Sequence, residues 1–257
     1  MSKYLIISDL HFGADDDVDN FKTSRIHLLE KLDKWKTRNG ISQTIIAGDI
    51  YELWQGKGLT ENRRLKRIMK RYDRVMSRLI NWTQLSGNHD WLLHTKYHTP
   101  EEYIIEEDDV KIVIMHGHQF DSFFTSKPAT FMSRVATEAW GLLEKAIGTK
   151  KTSKILTRIE GWWERRKLKK QGNGRDNDEN EYVKKAIKYA KKYNATHIIL
   201  GHTHGPMLHL DKRSGLVYAN SGTWIDEKAH CIIIDTEEWS VKLCSFSNGK
   251  MKTIDTI

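Results

Sequence analysis

Cysteine is scarce in this sequence, which has only Cys231 and Cys244 among its 257 residues. A disulfide framework in a small secreted domain needs several cysteines, and structural zinc sites are usually rich in thiolate ligands. Both cysteines fall in predicted strands, so we expect them to be reduced and buried. The sequence therefore argues against both a disulfide scaffold and a structural cysteine–zinc site.

Long apolar runs are also lacking, since none approaches the roughly 20 residues of a membrane span. The apolar run near the amino terminus is too short for a signal peptide and continues directly into a strand. Charged residues make up 30% of the chain, which is typical of a soluble domain. We expect a cytoplasmic protein, with peripheral membrane contact left open.

Positive charge is concentrated in one segment. Between Lys127 and Lys170 there are 12 lysines and arginines against 4 acidic residues, a net of +8 that equals the excess of the whole chain. A basic surface favours an anionic partner, and a membrane face, a nucleic acid or a diphosphate substrate all fit that description.

Apolar runs of strand length alternate with amphipathic helix patterns over most of the chain. Strands are predicted at 3–8, 43–47, 81–86, 103–107, 111–115 and 196–200, with short strands from 207 to 257. Helices are predicted at 20–38, 60–80, 128–170 and 179–193. This order predicts one α/β domain over residues 1–257, in which stacked sheets are covered by helices. A helical insertion interrupts it at about 123–172.

Polar side chains collect where the predicted strands end. They are Asp9, His11, Asp49, Asn88, His116, His202 and His204. Imidazole nitrogens and carboxylate oxygens are ligands for borderline or hard divalent metals. Seven donors that include a shareable carboxylate suit two metals, which in such sites lie about 3.5–4 Å apart and convert a bridging water into a nucleophile.

Five short blocks carry these residues along the chain. They are Asp9-Leu10-His11, Gly48-Asp49, Gly87-Asn88-His89-Asp90, His116-Gly117-His118 and Gly201-His202-Thr203-His204. The blocks span residues 9–204 in the order found in the calcineurin-like metallophosphoesterases, which the chain resembles. The resemblance implies an αββα four-layer sandwich, here with an inserted helical cap, and a β-rich tail.

The resemblance also implies a role for each donor. Asp9, His11 and His204 would hold one metal, Asn88, His116 and His202 the other, and Asp49 would bridge them. His89 matches the residue that contacts phosphate and protonates the leaving oxygen, and Glu52 matches the carboxylate that orients it. Manganese is the expected metal, with iron, zinc, nickel and magnesium as alternatives.

The substrate is less well defined, although a phosphate-containing anion is expected. The stretch from Gly48 to Trp54 lacks the arginine of the protein-phosphatase branch. Together with Gly87-Asn88-His89-Asp90, the motif His116-Gly117-x-x-Phe120-Asp121 and the helical insertion, it looks more like the UDP-2,3-diacylglucosamine diphosphatase-like branch. In that branch inserted helices cap the acyl chains, and the basic insertion here would suit an anionic membrane face. His118 and Thr223 depart from the branch, which has aspartate at both positions.

Two further interpretations stay open. A nuclease could use the basic helix at 60–80 and the basic insertion to follow a phosphate backbone. A non-catalytic scaffold could keep the fold without turnover, although such relatives usually lack several ligands and no ligand is missing here. The sequence leaves the oligomeric state undetermined.

Overall fold

The computed structural model of the chain describes residues 2–54, 60–121, 175–225 and 229–257, with the backbone alone for 175–180. The helix predicted at 128–170 and the insertion predicted at about 123–172 lie outside these residues. Within them, no helix is long and apolar enough to cross a membrane.

The described residues form eleven strands. They are β1 (Lys3–Ile7), β2 (Gln43–Ala47), β3 (Thr83–Leu85), β4 (Glu102–Glu107), β5 (Val110–Met115), β6 (His197–Leu200), β7 (Met207–Asp211), β8 (Leu216–Asn220), β9 (Ala229–Asp235), β10 (Ser240–Ser247) and β11 (Lys250–Thr256).

These strands build two mixed sheets. Sheet 1 has the order β11-β10-β9-β1-β2-β3, in which β1, β2 and β3 are parallel and β9 runs antiparallel to β1. Sheet 2 has the order β4-β5-β6-β8-β7, in which β5, β6 and β8 are parallel. The carboxyl ends of β1–β3 therefore share one edge of sheet 1, and those of β5 and β6 share one edge of sheet 2.

Helices cover the outer faces of both sheets. They are α1 (Ile26–Arg38), α2 (Glu61–Arg71), α3 (Asp73–Leu79), α4 (Leu92–Tyr97) and α5 (Arg175–Lys192). Buried side chains of α1–α4 pack on sheet 1, and those of α5 pack on sheet 2. A third apolar core lies between the sheets. The predicted αββα sandwich is confirmed.

Strand β1 shows how the sequence specifies these layers. Side chains alternate between the two faces of a strand. Accordingly, Leu5 and Ile7 belong to the core beneath the helices, whereas Tyr4 and Ile6 belong to the core between the sheets. A continuous apolar run is needed because β1 is buried on both faces.

The helices of the structure differ from the predictions in several places. The helix predicted at 20–38 begins at Ile26, after a 3-10 turn at Thr23–Arg25. The helix predicted at 60–80 is divided at Tyr72, whose backbone (φ −111°, ψ 26°) leaves the helical region. Helix α4 was not predicted, because six residues are too few to show a clear period.

The cysteine prediction is confirmed. Cys231 on β9 lies directly opposite Cys244 on β10, and both are free and buried.

Candidate metal centre

The seven predicted donors meet at one rim of the sandwich. Asp9, Asp49 and Asn88 follow β1, β2 and β3, whereas His116 follows β5 and the two histidines of Gly201-His202-Thr203-His204 follow β6. Parallel strands place their carboxyl ends at the same edge of a sheet. The two sheets thus contribute their donors to a common site.

One cluster joins Asp9, His11 and His204. Nε2 of His204 lies 3.1 Å from Oδ1 of Asp9, and Nε2 of His11 lies 3.7 Å from the same oxygen. One ligand atom from each residue falls within 4.8 Å of the others. These are the residues for which the family resemblance implies one shared metal.

A second cluster joins Asp49, His116 and His202, again within 4.8 Å of one another. Nε2 of His116 lies 3.1 Å from Oδ2 of Asp49 and 3.1 Å from Oδ1 of Asn88. Oδ2 of Asp49 also lies 3.7 Å from Nε2 of His11 in the first cluster, so the Asp49 carboxylate stands between the two clusters.

The donor atoms of the second cluster fit a cation. Nδ1 of His116 lies 2.8 Å from the carbonyl oxygen of Ala47, which can only accept, so this nitrogen carries a proton. In the neutral ring Nε2 then has a lone pair, which faces the oxygens of Asp49 and Asn88. Three lone pairs at such distances repel one another unless a proton or a metal ion lies among them.

The first cluster fits a cation for a similar reason. Oδ1 of Asp9 and both ring nitrogens of His11 are buried, and none of them makes a hydrogen bond within the described part of the chain. Unpartnered polar atoms are costly in a protein interior. A bound divalent cation would satisfy these atoms.

Charge coupling is strong around Asp49. Burial alone would raise the pKa of Asp49, but the neighbouring His116 and His89 outweigh it and hold the pKa well below its usual range. Burial would lower the pKa of His116, but the Asp49 carboxylate raises that pKa to about 9. A metal that binds these atoms would therefore displace protons.

The backbone at the donors is strained. Five of the seven have φ in the left-handed region, which residues other than glycine rarely adopt: Asp9 (56°), His11 (48°), Asp49 (53°), His202 (67°) and His204 (58°). Each such residue costs about 1–3 kcal/mol and persists only where its surroundings enforce it. Here the amides of Asp9 and His11 donate to the carbonyls of Gly48 and Asp49, which fastens two loops together.

Glycine is required at Gly48 for two reasons. Its φ is +84°, and a Cβ at this position would lie 2.6 Å from the His116 ring. Because glycine has no side chain, His116 from sheet 2 can approach the loop that carries Asp49.

His89 lies beside the two clusters in a specific environment. Its Nδ1 is 2.8 Å from Oε2 of Glu52, and Trp54 stacks on its ring with centroids 4.3 Å apart. The same Glu52 oxygen is 3.4 Å from Nδ1 of His11. Burial would lower the pKa of His89, but Glu52 and then Asp49 raise it.

Three supporting residues lie within quoted motifs but received no role from sequence reasoning. Buried Asp90 accepts hydrogen bonds from the amides of Ile50, Tyr51 and Gly87, which ties two donor loops together. Trp54 stacks on His89, and Asp121 lies beside His202. Only the spatial contact reveals such roles, because the sequence spacing does not.

His118 lies beside the site, as expected, and is buried. Burial and then the neighbouring His116 lower its pKa to about 3, so this imidazole is neutral.

Part of the predicted basic helix face is buried or paired with carboxylates. Arg64 is buried and donates to the carbonyls of Leu53 and Trp54. Three other arginines form ion pairs, Arg71 with Asp16 and Asp19, Arg74 with Glu30, and Arg78 with Asp33. Of these four arginines only Arg64 is buried, and the side chain of Arg74 remains 74% exposed beside its ion pair.

Comparison with known families supports the same interpretation. Residues 2–206 match the model of the calcineurin-like phosphoesterase family. The chain belongs to this family. This phosphoesterase therefore combines the family's fold with candidate clusters for divalent metals at the expected strand ends. A separate search of curated proteins found no match.

Several solved structures are similar to this phosphoesterase at low identity. YfcE, a phosphoesterase from E. coli, is 14% identical, with 99% of this chain and 98% of that chain covered and a TM-score of 0.47. Vps29 from Entamoeba histolytica, solved with zinc, is also 14% identical, with 99% of this chain and 98% of that chain covered and a TM-score of 0.47. A predicted phosphoesterase from Streptococcus pneumoniae is 15% identical, with 98% and 97% covered and a TM-score of 0.42.

Proposed function

We propose that the chain is a dinuclear metal-dependent hydrolase of phosphodiesters or phosphoanhydrides. The observation that carries this proposal is the position of Asp49, whose carboxylate stands between two separate groups of imidazole and oxygen donors. Asp9, His11 and His204 would hold one ion, Asn88, His116 and His202 the other, and Asp49 both. A complete donor set favours an enzyme over a scaffold.

Manganese is the metal we propose. Four imidazoles are more than magnesium usually accepts, whereas the oxygens of Asp9, Asp49 and Asn88 are harder than copper prefers. Iron, zinc and nickel fit the same donors. Two bound ions would polarise the phosphoryl group and supply an activated water.

His89 is the proposed general acid. Glu52 engages Nδ1 of its ring, which leaves Nε2 for the leaving-group oxygen. The two carboxylates that raise the pKa of His89 favour its protonated form, and stacking on Trp54 limits rotation of the ring. The backbone amide of His89 also donates to Oδ1 of Asp49 at 2.9 Å, which fixes the distance between acid and bridge.

A nucleotide-linked lipid diphosphate such as UDP-2,3-diacylglucosamine is the substrate we would test first. The sequence motifs between Gly48 and Asp121 support this choice through their resemblance to that branch. Peripheral membrane contact and capping of acyl chains are parts of the same proposal. A nucleic acid has less support, because several arginines of α2 and α3 are buried or paired with carboxylates.

The first experiment uses bis-para-nitrophenyl phosphate with added Mn²⁺. Hydrolysis by the natural chain and its loss in Asp49→Ala, with an unchanged circular dichroism spectrum, are expected. Asp109→Ala, at an exposed hairpin turn, is the matched control and should keep full activity. Retained turnover in Asp49→Ala would remove the bridging assignment. The UDP-linked lipid and single-stranded DNA would then be compared as substrates.

A further inference from the structure

A carboxylate outside the seven donors contacts one of them. Oδ2 of Asp121 lies 3.3 Å from Nε2 of His202 and forms a hydrogen bond with it. A carboxylate can only accept, so Nε2 carries the proton in this contact. The neutral His202 ring then has its lone pair on Nδ1.

The turn that carries Asp121 is held by contacts of its own. The amide of Asp121 donates to the carbonyl of His118 at 3.2 Å, and Gly117 provides a φ of 102° at the start of the turn. The hydroxyl of Tyr182 on α5 donates to the carbonyl of Gly117 at 3.0 Å. Nζ of Lys185, also on α5, donates to the carbonyl of Phe120 at 3.3 Å.

These contacts hold the backbone of the turn that carries Asp121 through residues of the chain itself. Helix α5 fastens both ends of the turn, and sheet 2 carries both the turn and His202. The ring of Tyr182 also lies nearly parallel to that of His202, with centroids 6.4 Å apart and an interplanar angle of 24°. His202 is therefore restrained in its orientation before it meets a metal.

We propose that Asp121 is a positioning residue that fixes the tautomer of His202, so that Nδ1 is the nitrogen offered to the metal. Metal-binding histidines commonly donate their second nitrogen to a carboxylate or carbonyl, which sets the tautomer and raises the basicity of the ligand. His116 has such a partner in the carbonyl of Ala47. Asp121 is the equivalent partner for His202. This inference rests on the proposed dinuclear site.

Histidine-labelled protein loaded with Zn²⁺, a diamagnetic ion, allows a direct test by nitrogen NMR. The two-bond couplings of each imidazole distinguish a metal-bound nitrogen from a protonated one. In the natural chain His202 should bind zinc through Nδ1 and keep its proton on Nε2. Binding through Nε2 would overturn the inference, because the contact with Asp121 would then be replaced.

Metal affinity provides the second readout. Asp121→Leu should weaken the affinity for one of the two zinc ions by about 10–100-fold and leave the affinity for the other unchanged. Asp121→Asn retains an acceptor oxygen, so it should lose clearly less affinity than the leucine variant. Asp109→Leu is the control and should bind both ions normally. If Asp121→Leu lost affinity equally for both ions, or lost none for either, that result would count against a positioning role.

Failure of the inference and failure of the proposed function give different results. If the natural chain binds fewer than two zinc ions, the dinuclear proposal fails. If it binds two and His202 coordinates through Nε2, the dinuclear proposal stands and only the role of Asp121 is rejected.

Discussion

His204 has a left-handed backbone and a partly exposed side chain. Its φ is 58°, and its side chain is 37% exposed. A residue with a Cβ pays about 1–2 kcal/mol in this region, whereas glycine does not. The histidine is thus retained at a position where glycine would be more stable.

Two substitutions at this position separate ligand loss from backbone strain. Both His204→Gly and His204→Ala remove the imidazole, but only glycine relieves the strain, so the metal-free glycine variant should be more stable than the alanine variant by about 1 kcal/mol. Urea denaturation measures the difference. The same pair of substitutions at His94, within α4, should show the opposite order because alanine favours helix.

The role of His89 can be tested with leaving groups of different basicity. His89→Ala should slow hydrolysis of poor leaving groups by about 10²–10⁴-fold and affect good leaving groups far less, since only poor ones need a proton. A series of substituted phenyl phosphodiesters provides the measurement. An equal loss across the series would indicate that His89 binds phosphate without donating a proton.

His197 on β6 links a pKa to stability. Burial lowers its pKa from 6.5 to about 4, so between these values the unfolded chain binds the proton more readily than the folded one. The resulting loss in the free energy of unfolding is absent above pH 6.5 and grows as the pH falls toward 4. His197→Gln should therefore reduce the acid-induced fall in melting temperature over that window, and exposed His209→Gln should not.

At the residue scale, the sequence could indicate the candidate donors because their chemistry and their position at strand ends coincided. Asp9, Asp49 and His116 each follow an apolar run, and parallel strands bring such ends together. The partners of these residues were harder to find. The stacking of Trp54 on His89 and the contact of Asp121 with His202 depend on loop conformations that no local pattern encodes.

At the scale of elements, the junction between α2 and α3 shows a tertiary contact that overrides a local pattern. Apolar residues continue with helical spacing through Tyr72, which predicted one helix. The Tyr72 hydroxyl instead donates to the buried carboxylate of Asp19, which also accepts from the amide of Gly13. At the helix break, Tyr72 thus anchors the loop after β1 through Asp19. Sequence periodicity cannot reveal this contact.

Removal of that hydroxyl should have a measurable cost. Tyr72→Phe leaves the buried Asp19 carboxylate with one donor fewer, so we expect a loss of about 1–3 kcal/mol in the free energy of unfolding. Tyr51→Phe is the control, because its hydroxyl contacts the Met76 sulfur at 3.6 Å, a weak acceptor. Equal stability losses in the two variants would indicate that the Asp19 contact contributes nothing special.

At the scale of the molecule, the donors come from both sheets, so bound metal should stabilise the whole sandwich. A ligand at a hundredfold excess over its dissociation constant adds about 2.7 kcal/mol. We expect Mn²⁺ to raise the melting temperature of the natural chain and EDTA to reverse the increase. Asp49→Ala should respond far less, and a full response would show that the ions bind elsewhere.

The architecture was largely predictable, because alternating strands and helices followed by a β-rich tail allow few arrangements. The order of strands in sheet 1 was not. The chain's last three strands extend sheet 1 on one side of β1, with β9 next to β1, and pairs such as Ile6 with Ile232 are separated by most of the sequence. Such pairing has no local pattern, and the predicted insertion at about 123–172 lies outside the described residues.

The place of β9 next to β1 has a consequence for biosynthesis. A nascent chain that has just exposed His204 outside the ribosome already carries every proposed donor, but β1 still lacks one of its two neighbours. Asp9 and His11 follow directly on that strand. The loop that bears them gains its full support only after about residue 235 has emerged, so ion capture should follow the synthesis of β9 rather than that of the last donor.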